Sequence, residues 1–590
     1  MDRRNFVAML AGTLPLGAWR LATGQPLTTH SWRAQDADLE TSCDSLMPNA
    51  NRTDMPASVL IIAKDGKPLL RKGYGMANIE MSVPASPDHL FTLASVMKQM
   101  VAVCVLQLTQ QGKLHLTDDI RNFFPGANTH GKLITVEQLL THTSGIYSAN
   151  SPARGDHSYD HNSESGMLSD HEFVDYAMQH PLDFEPGADW SWNTFAYHLA
   201  FLVVEKASGV PFNEYVRKCL FQPAGMEKSF SKVDGNRLGL FGIKNLNTSF
   251  YFLDADKKWI WRDARVLTPY FLYQRYSIVT CLDDLVKWDV ALRKGQLLSA
   301  ESLQKAWTTG HLKDGRNTNY GLGWMLGEQD GYKLISSSGI GTNPIATVHV
   351  PQEGLYIAYT QWYGTIDQAE NKVKKILSRL LPISYPTPEK SNLPLSDYAG
   401  VYHVHRNGPD IASQVSDIPL YISITASNGT LYFQQTAGEK IELRPAGKDR
   451  FLSPYSENTY YVFLRDDSGK VNAISTRGTF WAYGPDVANK RVNKTWPQPV
   501  TPKAISAALL NKYAGIYYMQ AFDSYVVIET DGARLYVNVQ GNRLELLPVA
   551  DNKFVRKGIE DIQYEFVNGT TETTGLVVSG LRKVKYKKEY

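Results

Sequence analysis

Hydrophobic positions follow one pattern up to about residue 385 and a different one beyond it. Near the start, segment 58–68 is an apolar run that ends in an Asp-Gly turn, which predicts a buried strand. Helical spacing follows over 95–110, 195–207 and 282–293, and strand-like runs return at 346–349 and 356–360. Strands at both ends of a helical middle predict an antiparallel sheet flanked by helices, in a domain covering 40–385.

Beyond this region the pattern becomes one of short alternating strands separated by Gly, Asn and Asp turns. A proline-rich break at 382–388 marks a linker, and an internal repeat follows it. The segment Asp-Tyr-Ala-Gly-Val-Tyr at 397–402 returns as Lys-Tyr-Ala-Gly-Ile-Tyr at 512–517. We therefore predict two small antiparallel β-barrel modules at 392–498 and 503–590, and an α+β fold class for the whole chain.

The N-terminus has the pattern of an export signal. Arg3 and Arg4 precede a short apolar run at 7–18, and small residues follow at 22–24. This order predicts a twin-arginine-type signal peptide at 1–24 and a periplasmic or secreted protein; a merely basic N-terminus is the alternative. The apolar run is too short to cross a bilayer, and no other long apolar segment follows, so no membrane-spanning segment is predicted.

Composition narrows the range of partners. The 590 residues carry a net charge of +2 without a clustered basic run, which argues against a nucleic-acid partner. None of the four cysteines lies in a Cys-x-x-Cys or His/Cys pattern with zinc spacing, and the chain has neither a His-Glu-x-x-His motif nor a Walker loop. No metal or cofactor is predicted.

The main chemical signal is Ser95-Val96-Met97-Lys98. A serine and a lysine three residues apart lie on the same face of a helix. A desolvated lysine loses proton affinity and can accept the proton of the serine hydroxyl, which makes the serine a nucleophile without a histidine. Ser-x-x-Lys also occurs at 229–232 and 302–305, but only Ser95 is followed by an apolar run that predicts a buried helix.

The stretch 91–125 around this pair resembles the nucleophile region of β-lactamase-related serine hydrolases. This group includes class C β-lactamases, D-aminopeptidases, D,D-peptidases and some esterases. Further landmarks in the same order are Leu-Leu-Thr-His-Thr-Ser-Gly at 139–145, Glu-Pro-Gly at 185–187, Glu-Lys-Ala-Ser-Gly at 205–209, Pro-Ala-Gly-Met at 223–226, Asp-Leu at 284–285 and Tyr-Gly-Leu-Gly-Trp at 320–324. The resemblance implies a β-lactamase-like fold for 40–385, with Ser95 as nucleophile and Lys98 as base. The paired β-modules resemble those of D-aminopeptidases.

Two motifs that complete the site in this family are altered. Counting without gaps places Trp192 where the family has the tyrosine of Tyr-x-Asn, and Thr194 where it has the asparagine. An indole cannot act as a general base. An alternative alignment, shifted by one residue, reads Ser191-Trp192-Asn193 as the Ser-x-Asn of penicillin-binding proteins.

The third motif has also lost its basic residue. Ser337 takes the place of the lysine or histidine of Lys/His-x-Gly, and Gly339 is retained. The resemblance implies that the oxyanion hole uses the backbone N–H groups of Ser95 and Ile340, which need no particular side chain. His142, within the Thr-His-Thr-Ser-Gly landmark, is expected to have a structural hydrogen-bonding role.

Two functional hypotheses follow. The first is an exported serine hydrolase that forms an acyl-enzyme on small esters or amides, including peptides with D-residues. The second is a binding protein of the cell envelope that retains the fold without the activity. The first hypothesis predicts a small-molecule or peptide substrate, and in the second the β-barrels mediate contact with a ligand or partner.

Overall fold

The computed structural model describes most of the chain after the N-terminal segment. The described residues are 36–147, 170–231, 249–253, 259–263, 277–339, 343–383, 394–403, 421–435, 440–452, 459–478, 488–493, 501–519, 524–539, 542–557, 559–569, 572–579 and 583–588. The predicted signal peptide at 1–24 lies outside them, as do Ile340 and most of the proline-rich break.

The first domain contains both strands and helices. Its strands are β1 (Ser58–Lys64), β2 (Lys67–Tyr74), β3 (Met76–Asn78), β4 (Val83–Pro84), β5 (Phe91–Thr92), β6 (Phe230–Ser231), β7 (Ser249–Leu253), β8 (Trp259–Asp263), β9 (Ile278–Thr280), β10 (Met325–Gln329), β11 (Tyr332–Gly339), β12 (Ile345–Val350) and β13 (Leu355–Gln361). Its helices are α1 (Asp36–Asp44), α2 (Lys98–Gln110), α3 (Val136–Leu140), α4 (Asp170–Met178), α5 (Thr194–Ser208), α6 (Phe212–Val216), α7 (Gln222–Ala224), α8 (Leu282–Arg293), α9 (Ala300–Ala306) and α10 (Ile366–Leu380).

The main sheet has the strand order β10-β11-β12-β13-β1-β2, and every neighbouring pair is antiparallel. Side chains alternate between its two faces. In β1, Val59 and Ile61 belong to the core that contains α2, whereas Leu60 and Ile62 belong to the core that contains α10. Both faces are covered by helices, which confirms the predicted antiparallel sheet flanked by helices.

The nucleophile segment differs in one detail from its predicted helix. A 3-10 turn spans Ala94–Met97, and the α-helix begins only at Lys98. Ala94, the residue before Ser95, has a φ of +50°. This left-handed conformation costs about 1–2 kcal/mol for a residue with a Cβ, and residues held in it often lie at functional sites.

The C-terminal region forms two closed barrels of eight antiparallel strands each, as predicted. The first contains β14 (Gly400–His403), β15 (Tyr421–Ser427), β16 (Thr430–Gln435), β17 (Ile441–Pro445), β18 (Arg450–Leu452), β19 (Thr459–Arg465), β20 (Val471–Gly478) and β21 (Ala488–Val492). After α11 (Ala507–Tyr513), the second contains β22 (Gly515–Met519), β23 (Ser524–Thr530), β24 (Leu535–Val539), β25 (Asn542–Ala550), β26 (Lys553–Arg556), β27 (Ile559–Asn568), β28 (Thr573–Ser579) and β29 (Lys583–Lys588).

Repeated residues have the same role in both barrels. The hydroxyl of Tyr402 donates to the carbonyl of Tyr398 at 2.7 Å, and the hydroxyl of Tyr517 donates to the carbonyl of Tyr513 at 2.7 Å. All four tyrosines are buried in the barrel cores. The sequence repeat is therefore a structural repeat whose aromatic residues fill the two interiors. Within the described ranges, no helix combines the length and the apolar character needed to span a bilayer.

Candidate active site

Ser95, in the 3-10 turn, and Lys98, the first residue of α2, lie side by side. Lys98 Nζ is 3.1 Å from Ser95 Oγ, and the lysine side chain is buried while the serine is half-buried. Burial lowers the pKa of the Lys98 ammonium from 10.5 to about 7. A substantial fraction of the lysine is therefore neutral near pH 7 and can accept a proton from the serine hydroxyl.

The end of β11 lies directly against this serine. A Cβ on Gly339 would lie 2.8 Å from the Ser95 nitrogen and 3.0 Å from the Ala94 Cβ, so only glycine fits at this position. Ser337 lies two residues earlier and therefore on the same face of the strand. It is buried, and its carbonyl accepts a hydrogen bond from Thr347 Oγ1 at 3.2 Å. Ile340, the predicted second oxyanion donor, lies outside the described residues.

Trp192, in the segment 191–194 that carries the second motif, lies next to Lys98. Lys98 Nζ lies 4.8 Å from the centre of the Trp192 ring and 5.3 Å from the centre of the Tyr197 ring. The ungapped alignment predicts this place for Trp192. Its indole lies beside the lysine, where the resemblance implies a phenol.

Asn193 is turned away from the lysine. Its Oδ1 accepts from the Ala196 N–H at 3.0 Å and caps α5, and its Nδ2 donates to the Ile146 carbonyl at 2.5 Å. The shifted alignment needs this amide to face the cleft, so its geometry disagrees with the structure. Thr194, the first residue of α5, is half-buried.

His142 has the structural hydrogen-bonding role expected from the sequence. Its Nδ1 accepts the Asn193 N–H at 3.0 Å, and its ring packs 4.5 Å from that of Trp192. Burial, with the Lys98 charge adding to it, holds the pKa of His142 well below its ordinary value. The imidazole is therefore neutral at pH 7.

Sequence reasoning missed the phenols around this site. Tyr197 donates its hydroxyl to the Leu140 carbonyl at 2.6 Å, and Tyr320 packs against both His142 and Trp192. Burial, with Tyr320 adding to it, raises the pKa of Tyr197 well above its ordinary value. This phenol therefore cannot replace the missing family tyrosine as a base. The Tyr-Gly-Leu-Gly-Trp landmark was the one sequence signal that pointed to Tyr320.

The described residues show no group of three His, Cys, Asp or Glu side chains placed to hold a metal ion. The chemistry that can be assigned rests on Ser95, Lys98 and the backbone of the nucleophile turn. This arrangement can activate a serine hydroxyl by proton transfer to a neutral amine.

Comparison with known proteins identifies the family of the chain. The β-lactamase family model matches residues 43–372, more than half of the chain. A penicillin-binding protein of Bacillus subtilis (strain 168) is 23% identical over 405 residues, which cover 67% of this chain and 87% of that protein. Esterase EstB of Burkholderia gladioli is 32% identical over 215 residues, which cover 35% of this chain and 54% of the esterase.

A solved structure has the same fold. The octameric penicillin-binding protein homologue from Pyrococcus abyssi aligns with a TM-score of 0.51 and 20% identity, covering 76% of this chain and 99% of that one. The family match and the shared fold lead to one conclusion. The chain belongs to the β-lactamase family of serine hydrolases.

Proposed function

We propose that the protein is an exported serine hydrolase that forms an acyl-enzyme at Ser95 on small esters or amides, including peptides with D-residues. The observation that carries this proposal is the 3.1 Å contact between Ser95 Oγ and the buried Lys98, whose pKa is about 7. A lysine held at this pKa is suited to act as a general base near neutral pH.

The first chemical step transfers the Ser95 hydroxyl proton to neutral Lys98 while Oγ attacks the substrate carbonyl. The Ser95 N–H, held against Gly339, is one donor for the oxyanion that forms. The Lys98 ammonium then returns its proton to the leaving alcohol or amine, and the acyl-enzyme remains. Water, deprotonated by the same lysine, hydrolyses the ester bond and restores the Ser95 hydroxyl.

The third motif favours substrates without a carboxylate at that position. Ser337 offers a neutral hydroxyl on the face where a lysine or histidine would attract an anion. The name of the Burkholderia gladioli relative, an esterase, supports esters as the first class of probes.

Acylation can be measured directly by intact-mass analysis after incubation with a nitrophenyl ester and, separately, with a penicillin. We expect the native protein to gain the mass of one acyl group and the Ser95→Ala variant to gain none. A folded native protein that forms no adduct with either probe would contradict the proposal.

One observation favours the second hypothesis, a binding protein of the cell envelope. Trp192 stands beside Lys98 where the resemblance implies a proton-relay phenol. An indole N–H cannot relay the proton to a leaving group in this way. In that case a small ester would bind without acylation of Ser95, a result that the mass measurement distinguishes.

Export through a twin-arginine-type signal is part of the proposal and rests on Arg3, Arg4 and the apolar run at 7–18. Replacing both arginines with lysine should leave the protein in the cytoplasm of a host that has this export route. Unchanged appearance of the double variant in the periplasm would contradict this prediction.

A further inference from the structure

His142 accepts hydrogen bonds from the backbone amides on both sides of Trp192. Its carbonyl accepts the Ser191 N–H at 3.0 Å, and its Nδ1 accepts the Asn193 N–H at 3.0 Å. These two amides flank Trp192 in the sequence. The histidine ring also packs on the indole, with 4.5 Å between ring centres and an angle of 31° between the rings. Three contacts from one residue therefore fix the backbone and the ring of Trp192.

The backbone of His142 is itself unusual. Its φ is +60°, in the left-handed region that a side chain with a Cβ rarely adopts. The strained conformation turns the carbonyl and the imidazole toward the same loop. Among the described residues, Nε2 has no hydrogen-bond partner, so the described hydrogen bonding of the ring is through Nδ1.

Trp192 transmits this arrangement to the lysine. Its ring centre lies 4.8 Å from Lys98 Nζ, and the indole helps to bury the amine. Among the described residues, titratable groups packed around this contact include His142, after α3, Tyr197 of α5 and Tyr320, before β10. Burial is the cause of the low pKa of Lys98, so any movement that lets water reach the amine will raise that pKa.

We propose that His142 is a positioning residue, which clamps Trp192 against Lys98 and thereby keeps the base of the reaction desolvated. This inference rests on the proposed function of Ser95 and Lys98. It assigns to His142 an effect on the lysine that acts through the tryptophan, without contact between the imidazole and the substrate.

Two variants separate the hydrogen-bond acceptor from the ring. His142→Phe keeps an aromatic ring but loses the Nδ1 acceptor. His142→Asn places Oδ1 where Nδ1 lies and tolerates the left-handed backbone, so it retains the acceptor without the imidazole. His89→Phe is a matched control, because His89 is also buried and its Nδ1 accepts the Ser86 N–H at 2.9 Å.

The readout is the rate at which a fluorophosphonate labels Ser95, measured across a pH series that brackets the Lys98 pKa of about 7. In this reaction the Oγ–P bond forms, fluoride leaves and Lys98 takes the proton. We expect His142→Phe to move the midpoint upward by about one pH unit, which lowers labelling by about fivefold at pH 7 and by about tenfold well below the native midpoint. His142→Asn should restore most of the rate, and His89→Phe should leave the midpoint unchanged.

An unchanged midpoint in a folded His142→Phe variant would overturn the clamp. A midpoint that shifts equally in the Asn variant would overturn the role given to the Nδ1 acceptor. Hydrogen exchange of the Asn193 amide gives a second measurement, which does not depend on activity. It should accelerate in the Phe variant and stay slow in the Asn variant. If the native protein is never labelled, the proposed function fails, while hydrogen exchange still tests the clamp.

Discussion

Lys98 is the residue whose protonation should control the rate of acylation. Its neutral amine is the form that accepts the Ser95 proton, and burial lowers its pKa to about 7. Acylation should therefore rise with pH, by about tenfold per unit below the midpoint, and level off above it. Stopped-flow release of nitrophenol from a nitrophenyl ester measures this profile. A midpoint near the ordinary lysine value of 10.5 would contradict the desolvation of Lys98 on which this profile rests.

Substitution of Trp192 tests how the indole affects the rate of Ser95 acylation. Replacing it with tyrosine, together with Thr194→Asn, restores the residue types of the family motif beside Lys98. We expect faster acylation of Ser95, and a tenfold gain would correspond to about 1.4 kcal/mol off the barrier. The rate is measured by intact mass over time. The single variant Thr194→Asn is the control, since it leaves the indole in place.

An equal or slower rate in the Trp192→Tyr, Thr194→Asn double variant would show that the site is built around the indole. Ser191→Ala tests the shifted alignment directly, because that alignment predicts loss of all activity. The turned-away amide of Asn193 leads us to expect little effect from this substitution.

Site residues that lie close together in the sequence could be predicted from their separation along the chain. Ser95 and Lys98 follow from their separation by three positions and from the buried helix after them, and Trp192 follows from counting along a continuous segment. The hydrogen bond from Asn193 to His142 joins residues 51 positions apart, and a single sequence carries no periodic signal for such a pair. The positive φ of Ala94 was equally hidden, because alanine gives no warning of it.

At the scale of elements, the end of β11 and the turn before α2 form one unit. Gly339 is the contact point, since a Cβ there would lie 2.8 Å from the Ser95 nitrogen, and a backbone atom cannot move aside like a flexible side chain. We expect Gly339→Ala to displace the Ser95 N–H, to slow acylation by at least about tenfold and to reduce stability by about 1–3 kcal/mol.

Acylation rate and thermal unfolding of the Gly339→Ala variant measure the two effects. Gly126→Ala is the matched control, because nothing lies within 4 Å of a Cβ built at Gly126. A Gly339→Ala variant that acylates at the native rate would show that the strand does not position the nucleophile amide.

Element prediction worked where patterns were periodic. The strand β1, buried except at Lys64, and the helix α8 match the segments predicted from the sequence pattern. The start of α2 was placed three residues early, because the sequence does not distinguish a 3-10 turn from the first turn of an α-helix. The difference places Ser95 in the 3-10 turn and Lys98 at the first residue of the α-helix.

At the scale of the molecule, the repeat was the strongest evidence for two further domains. Pro445 pairs with Phe451 in the first barrel, and Pro548 pairs with Phe554 in the second. These equivalent pairs explain why the same residues recur about 100 positions apart, and why a repeat in the sequence predicted two separate closed barrels. Each barrel has its own apolar interior.

Separate cores predict that the chain opens first between the hydrolase domain and the barrels. Leu381 and Ile383 are buried in the core around α10, so the last firmly packed residues of the first domain end there. The following segment, 384–393, contains two prolines, Pro386 and Pro388, and no long apolar run. Limited proteolysis should therefore cut within it and release a piece containing both barrels. Mass spectrometry of the products locates the cut. A first cut inside either barrel would contradict the prediction, because that barrel would then open before the linker. No cut before global unfolding would mean that the barrels and the hydrolase domain unfold as one cooperative unit.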